Sequence, residues 1–169
     1  KAMSTRPILT WPDVRLTQPC AEVGEVTAEV QILAADMLET MYAAPGRGLA
    51  GPQIGEMLRI FVMDTGWKEG APDPLVCIDP QIEVLDNSPV TNNEGCLSIP
   101  GVSAAVTRPA AVRLTYTGLD GARHSRDLTG FDAVCAQHEY DHLDGVLTFD
   151  RLDADARAAL LADYDEAAT

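Results

Sequence analysis

A chain of 169 residues is the size of one domain and long enough to bury a sizeable core. Hydrophobic residues make up 46% of it, ordinary for a globular protein, and no apolar run is long enough to cross a bilayer as a helix. The formal charge of −14 repels phosphate backbones and argues against direct nucleic-acid binding. No charged-then-apolar signal segment opens the chain, and Lys1-Ala2-Met3 reads as a short addition ahead of a start at Met3. Cys20, Cys77, Cys96 and Cys135 are widely and irregularly spaced, so reduced thiols and a cytoplasmic setting are expected rather than a disulfide framework.

In chain order, Thr27 to Ala43 predicts the first helix. Val30, Leu33, Ala34, Met37, Leu38 and Met41 recur at the spacing of one buried stripe, with Thr27 as its cap and Pro45-Gly46 as its stop. A glycine-rich loop, GRGLAGPQIG, follows from Gly46 to Gly55. Short strands are predicted at Arg59 to Asp64, Leu75 to Asp79 and Gln81 to Leu85. Ala111 to Thr117 alternates apolar and polar residues as a half-buried strand does. Asp120-Gly121 is a tight-turn signal that returns the chain through Arg123 to Thr129. A second helix begins near Gly130, and a short last one runs from about Asp153 to Ala162. Strands clustered between helices, without strand–helix alternation, predict an α+β fold of mostly antiparallel sheets packed around a central helix.

That central helix carries QHEYDH, Gln137 to His142. His138 and His142 share a face, with Glu139 beside the first, in the H-E-x-x-H pattern of metal hydrolases. Phe131, Val134, Cys135, His138 and His142 fall in one stripe, which places both imidazoles on the buried face of an amphipathic helix. A lone histidine there would read as a core residue, whereas two beside a glutamate favour a metal site. Such a site needs a third protein ligand. Cys135 lies roughly 10 Å along the axis from His142, too far to share one ion. Downstream there are only acidic residues such as Asp150, Asp153 and Asp155. Upstream, NNEGCLSIPG (Asn92 to Gly101) offers Cys96 beside Gly95. Residue pattern alone leaves Cys96 balanced between a ligand and a buried structural thiol.

Three segments in this order, GLAGPQIG (Gly48 to Gly55), EGCLS (Glu94 to Ser98) and QHEYDH, resemble the signature motifs of peptide deformylases. ILTWPDVRL (Ile8 to Leu16) is similar to that family's N-terminal segment. The resemblance implies a single deformylase-like catalytic domain over residues 1–169, removing the formyl group from the N-terminal formylmethionine of new peptides. It implies one divalent metal held by Cys96, His138 and His142, with Fe2+ expected and Zn2+, Ni2+ or Co2+ able to occupy the site. Glu139 becomes the proton-transfer group. The Gln53 amide and the Leu97 backbone N–H face the developing oxyanion. Gly48 and Gly95 expose backbone to the peptide, and Phe131, Val134 and Cys135 form the methionine pocket.

Four positions depart from the family pattern, one of them Ser103, where bacterial members often carry an Arg that helps hold the substrate's backbone. Arg47 and Asn92 stand where apolar residues are common, and Gly51 where Ala is. Arg47 and Asn92 are expected near the substrate entrance, where Arg47 adds a cation that favours an acidic group further along the peptide or narrows the opening. These departures leave a second reading, a related hydrolase of other N-formyl or N-acyl substrates. A third, a metal-binding or thiol-sensing protein without catalysis, is disfavoured by Glu139 and Gln53. Some relatives dock on the ribosome through a basic terminal helix; the acidic tail here is poorly suited to that.

Overall fold

A computed structural model describes residues 4–168 of the chain, so the start expected at Met3 lies outside the described residues. The first helix, α1, spans Ala28–Ala43, and Thr27 caps it by accepting a hydrogen bond from the Val30 backbone N–H. Its predicted stripe is buried at Val30, Leu33, Ala34, Met37 and Met41, with Leu38 at the margin.

Five strands follow: β1 (Gly48–Ala50), β2 (Ile60–Met63), β3 (Leu75–Gly95), β4 (Ser103–Thr117) and β5 (Arg123–Thr129). They form one antiparallel sheet in sequence order, leaving β1 and β5 as its edges. The two segments predicted at Leu75 to Asp79 and Gln81 to Leu85 are parts of β3. The register slips between Ile78 and Gln81, and Asp79 sits at a φ of 48° while its carboxylate accepts from the Val23 and Gly24 N–H groups. This bulge breaks the apolar alternation, so one strand reads as two. Beyond it β3 continues to Gly95 with mostly exposed polar residues, carried by backbone pairing to β4 rather than by burial. β4 likewise starts eight residues before the predicted Ala111. Ala104, Val106, Arg108, Val112, Leu114 and Tyr116 occupy its buried phase. The turn at Asp120-Gly121 joins β4 to β5 as predicted.

Helix α2, Gly130–Leu143, lies against the sheet over Phe61, Met63, Cys77, Val112, Leu114 and Leu128. On the other face Ile60 and Val62 pack under α1. β2 is therefore covered on both sides, which explains its unbroken apolar run. The expected amphipathicity of α2 is not what forms. Its surface is buried around most of the circumference from Ala133 to Leu143, whereas Phe131 at its start is 53% exposed. Gly145, with φ 74°, ends the helix, and the Val146 N–H returns to the Asp141 carbonyl at 2.9 Å. The last helix, α3, runs Ala154–Ala168, longer than predicted. Leu160 and Tyr164 pin it to a third core cluster with Leu16, Ile99 and Phe149, and the Tyr164 hydroxyl donates to the Trp11 carbonyl at 2.6 Å.

Candidate metal centre

The first residue after β3 is the candidate for the third ligand sought for α2. The register that pairs Gly95 with Ser103 brings the intervening turn, with Cys96 at its start, against α2. Cys96, His138 and His142 present ligand atoms all within 4.8 Å of one another. Two ligands bound at about 2.0–2.3 Å in a tetrahedral arrangement stand roughly 3.3–3.8 Å apart. The separation of Cys96 Sγ and His142 Nε2 is 3.4 Å, so this pair fits a shared ion. Cys20, Cys77 and Cys135 stand outside the cluster, and all four cysteines are unpaired thiols. Burial pushes the Cys77 and Cys135 thiols above their ordinary range. Cys135 Sγ contacts the Arg47 carbonyl at 3.6 Å.

The surroundings of the ligands also suit a cation. Burial works against charge on His138, yet Glu139, Cys96 and Glu94 outweigh it and hold its pKa well above that of an ordinary imidazole. The same groups favour a metal ion at this place. Burial, reinforced by His138, drives His142 well below the ordinary value, so its imidazole is neutral and able to coordinate.

Beneath the ligands lies a buried ionic network that residue-pattern reasoning missed. Glu94 Oε1 accepts from His138 Nδ1 at 3.0 Å, which turns Nε2 toward the ligand cluster. Arg108 grips Glu94 through two bonds of 2.7 and 2.9 Å and donates to Asp141 at 2.9 Å. Arg151 closes the far side of Asp141 at 2.7 and 3.0 Å. Some of its signals were present in the sequence. Glu94 precedes Gly95-Cys96 and Asp141 precedes His142, whereas Arg108 lies ahead of the strand predicted from Ala111 and only the structure puts it in the buried phase of β4. A charge in that phase requires buried partners.

A cavity of about 560 Å³ opens above the ligands. All the predicted site residues line it except His142, which sits below with its Nδ1 buried and without a protein partner. Glu139 is 4% exposed, and its Oε1 is buried without a hydrogen bond. Burial, countered in part by His138, pushes its pKa up to about 7. Gly48 packs directly against it, since a Cβ there would stand 2.5 Å from Glu139 Oε2. Gln53 accepts from the Ala50 N–H at 2.9 Å and donates to Ser98 Oγ at 3.0 Å, while its amide nitrogen lies 3.6 Å from Cys96 Sγ.

The departures from the motif pattern resolve differently. Arg47 lines the cavity, but its guanidinium is engaged: it forms two hydrogen bonds to Glu69, donates to the Thr65 carbonyl and lies 5.5 Å from the Phe131 ring centroid. Asn92 is not at the main opening; it lines a smaller hollow of about 160 Å³ that also touches Phe131 and Val134. At Gly51 a Cβ would come within 2.7 Å of the Glu56 carbonyl and 2.9 Å of the Leu58 carbonyl, so here the turn is closed down onto glycine.

Comparison with known proteins converges on one family. Residues 5–158 match the family profile described as polypeptide deformylase. A peptide deformylase of Rhodopseudomonas palustris (strain BisB5) is 46% identical over 168 residues, covering 98% of this chain and 96% of its own. The crystal structure of a peptide deformylase from Legionella pneumophila superposes with a TM-score of 0.90 at 34% identity, covering 98% of this chain and 96% of its own. That from Ehrlichia chaffeensis in complex with actinonin gives 0.90 at 33% identity, covering 98% of both. With the motifs, the sheet order and the full-length similarity in agreement, this chain belongs to the polypeptide deformylase family.

Proposed function

We propose that one catalytic domain, residues 1–169, carries out the family's reaction, removal of the formyl group from formylmethionine at the start of nascent peptides, with Cys96, His138 and His142 holding one divalent metal. Ferrous iron is the expected ion, and a thiolate with two imidazoles also suits zinc, nickel or cobalt. The observation that carries this reading is the placement of Glu139, which lines the cavity with Oε2 3.9 Å from His138 Nε2 and keeps Oε1 buried without a hydrogen bond. When bound, the metal supplies a Lewis acid and lowers the pKa of water at the site.

Glu139 takes the proton of the attacking water and delivers it to the departing amine nitrogen. The Gln53 amide and the Leu97 backbone N–H face the oxygen on which negative charge develops; donors fixed in advance stabilise it without reorganisation. Glu94, through His138 Nδ1, is a positioning residue that acts on the ligand and not on the substrate. The peptide runs along the outer edge of β1, where Gly48 leaves its backbone accessible, and past Gly95 on the opposite wall. Phe131, Val134 and Cys135 receive the methionine side chain. The expected setting is the cytoplasm. Among the described residues no helix is long and apolar enough to cross a membrane. α3 carries Asp155, Asp163, Asp165 and Glu166 against Arg157, which does not suit docking on ribosomal RNA.

The test is metal analysis of anaerobically prepared protein, paired with kcat/KM for matched formyl-Met and formyl-Ala tripeptides. One metal per chain and a Met preference of roughly tenfold to more than a hundredfold are expected, the worth of burying a methionine-sized side chain at about 1.5–3 kcal/mol. Equal values for the two peptides would reject the assigned pocket. No hydrolysis of either by the metal-loaded protein would reject the function. Nothing in the site favours the readings as a hydrolase of other acyl groups or as a thiol sensor.

A further inference from the structure

The cavity rim carries one cation that forms no ion pair among the described residues, its neighbour Glu69 being hydrogen-bonded to Arg47. Arg47 is neutralised by Glu69, with their closest atoms 2.7 Å apart. Glu94 is committed to Arg108 and His138. Lys68 lines the same cavity, and among the described residues no carboxylate lies within ion-pair distance of its ammonium group. Apart from Lys1 it is the only lysine in a chain of net charge −14.

The loop presenting Lys68 is held in place. Arg47 clasps Glu69, Thr65 bonds Asp132 at the start of α2, and Trp67 Nε1 donates to the Gly46 carbonyl at 2.9 Å. Tyr42 packs edge-on against Trp67, and Lys68 Nζ lies 5.7 Å from the centroid of that indole. Three of these attachments lie around Lys68, so the ammonium is held at the rim by a braced loop rather than by a free one.

Position along the cleft follows from β1. Glu139 is against Gly48, and the Trp67–Lys68 wall is fixed at Gly46. Two residues of extended chain span roughly 7 Å, so a peptide whose formyl group is at Glu139 and which follows this edge brings its second or third residue to Lys68. We infer that Lys68, braced by the Arg47–Glu69 clasp, forms a subsite for an acidic side chain at the second or third position of the substrate peptide. This rests on the reading of the site as a deformylase, and it moves the substrate-facing cation from Arg47 to Lys68.

The experiment compares C-terminally amidated formyl-Met-Ala-Ser, formyl-Met-Glu-Ser, formyl-Met-Ala-Glu and the corresponding lysine peptides on metal-loaded protein. An exposed ion pair predicts that a glutamate peptide exceeds its lysine counterpart in kcat/KM by about two- to fivefold at low salt, and that added salt shrinks the ratio. Lys68→Ala should remove the preference, Lys68→Glu invert it and Lys68→Arg retain it, each ratio being taken against the same variant's turnover of the amidated formyl-Met-Ala-Ser peptide. Arg47→Ile frees the loop and should weaken the preference without inverting it. Peptide affinities followed by tryptophan fluorescence read the same order independently of turnover. Binding that keeps the order without hydrolysis overturns the deformylase reading and leaves the subsite standing. Equal kcat/KM for glutamate and lysine peptides, or an undiminished ratio in Lys68→Ala, overturns the subsite.

Discussion

Glu139→Gln is expected to lower kcat/KM for formyl-Met peptides by about 10²- to 10⁴-fold, with one metal still bound per chain and no loss of thermal stability. The substitution preserves shape and removes only the capacity to take and return a proton. Glu139 is not in the ligand cluster, so metal content should be indifferent to it. One of its oxygens is buried without a partner, and burial raises its pKa, so the folded protein bears a cost for keeping this carboxylate charged. Neutralising it should therefore leave the unfolding midpoint unchanged or raise it. Kinetics and metal analysis on the same preparation decide the matter. A variant that keeps most of its activity removes Glu139 from the mechanism, and one that loses its metal shows that the carboxylate supports the ligands instead.

Arg108→Ala is expected to have the largest effect on stability. The guanidinium is 6% exposed and is shared between Glu94 and Asp141, both buried. Removing it leaves two buried carboxylates short of their counterion, and breaking a buried pair in this way costs about 3–5 kcal/mol. For a chain of this length each kcal/mol moves the unfolding midpoint by about 2–4 °C, so a fall of roughly 6–20 °C is expected in a thermal melt. Arg151 still reaches Asp141 from its other side, so Glu94 bears most of the loss. Because Glu94 also holds His138, the same variant and Glu94→Gln should bind metal about 10- to 100-fold more weakly. Arg108→Lys restores charge but not the forked contact to Glu94 and should recover only part of either loss. A melt within a degree or two of the wild type would show that the network contributes no net stability.

Local pattern carried far in this chain. The α1 stripe, its Thr27 cap, the Asp120-Gly121 turn and the paired histidines of α2 follow from spacings of a few residues, where backbone geometry alone decides which side chains meet. The α+β class, the ligand types and the glutamate beside the first histidine were legible for the same reason. The long polar reach of β3 was not, because strands exposed along most of their length carry no alternation to read.

Every feature that joins distant segments was decided by the tertiary structure. Cys96 becomes a partner of His142 across 46 positions of sequence because β3 and β4 pair up to Gly95 and deliver the following turn to α2. Arg108 meets Asp141 because the buried phase of β4 faces that same helix, and Glu94 because β3 pairs alongside β4. Arg47 is occupied by Glu69, and Lys68 is left at the rim, because the loop after β2 folds back over Gly46 and the start of α2. The sequence by itself determined which residue types could hold a metal and move a proton. Which of them stand close together, and which charges are paired within the chain, was decided by strand register and helix packing, since charge pairing acts over a few ångströms in space and takes no account of separation along the chain.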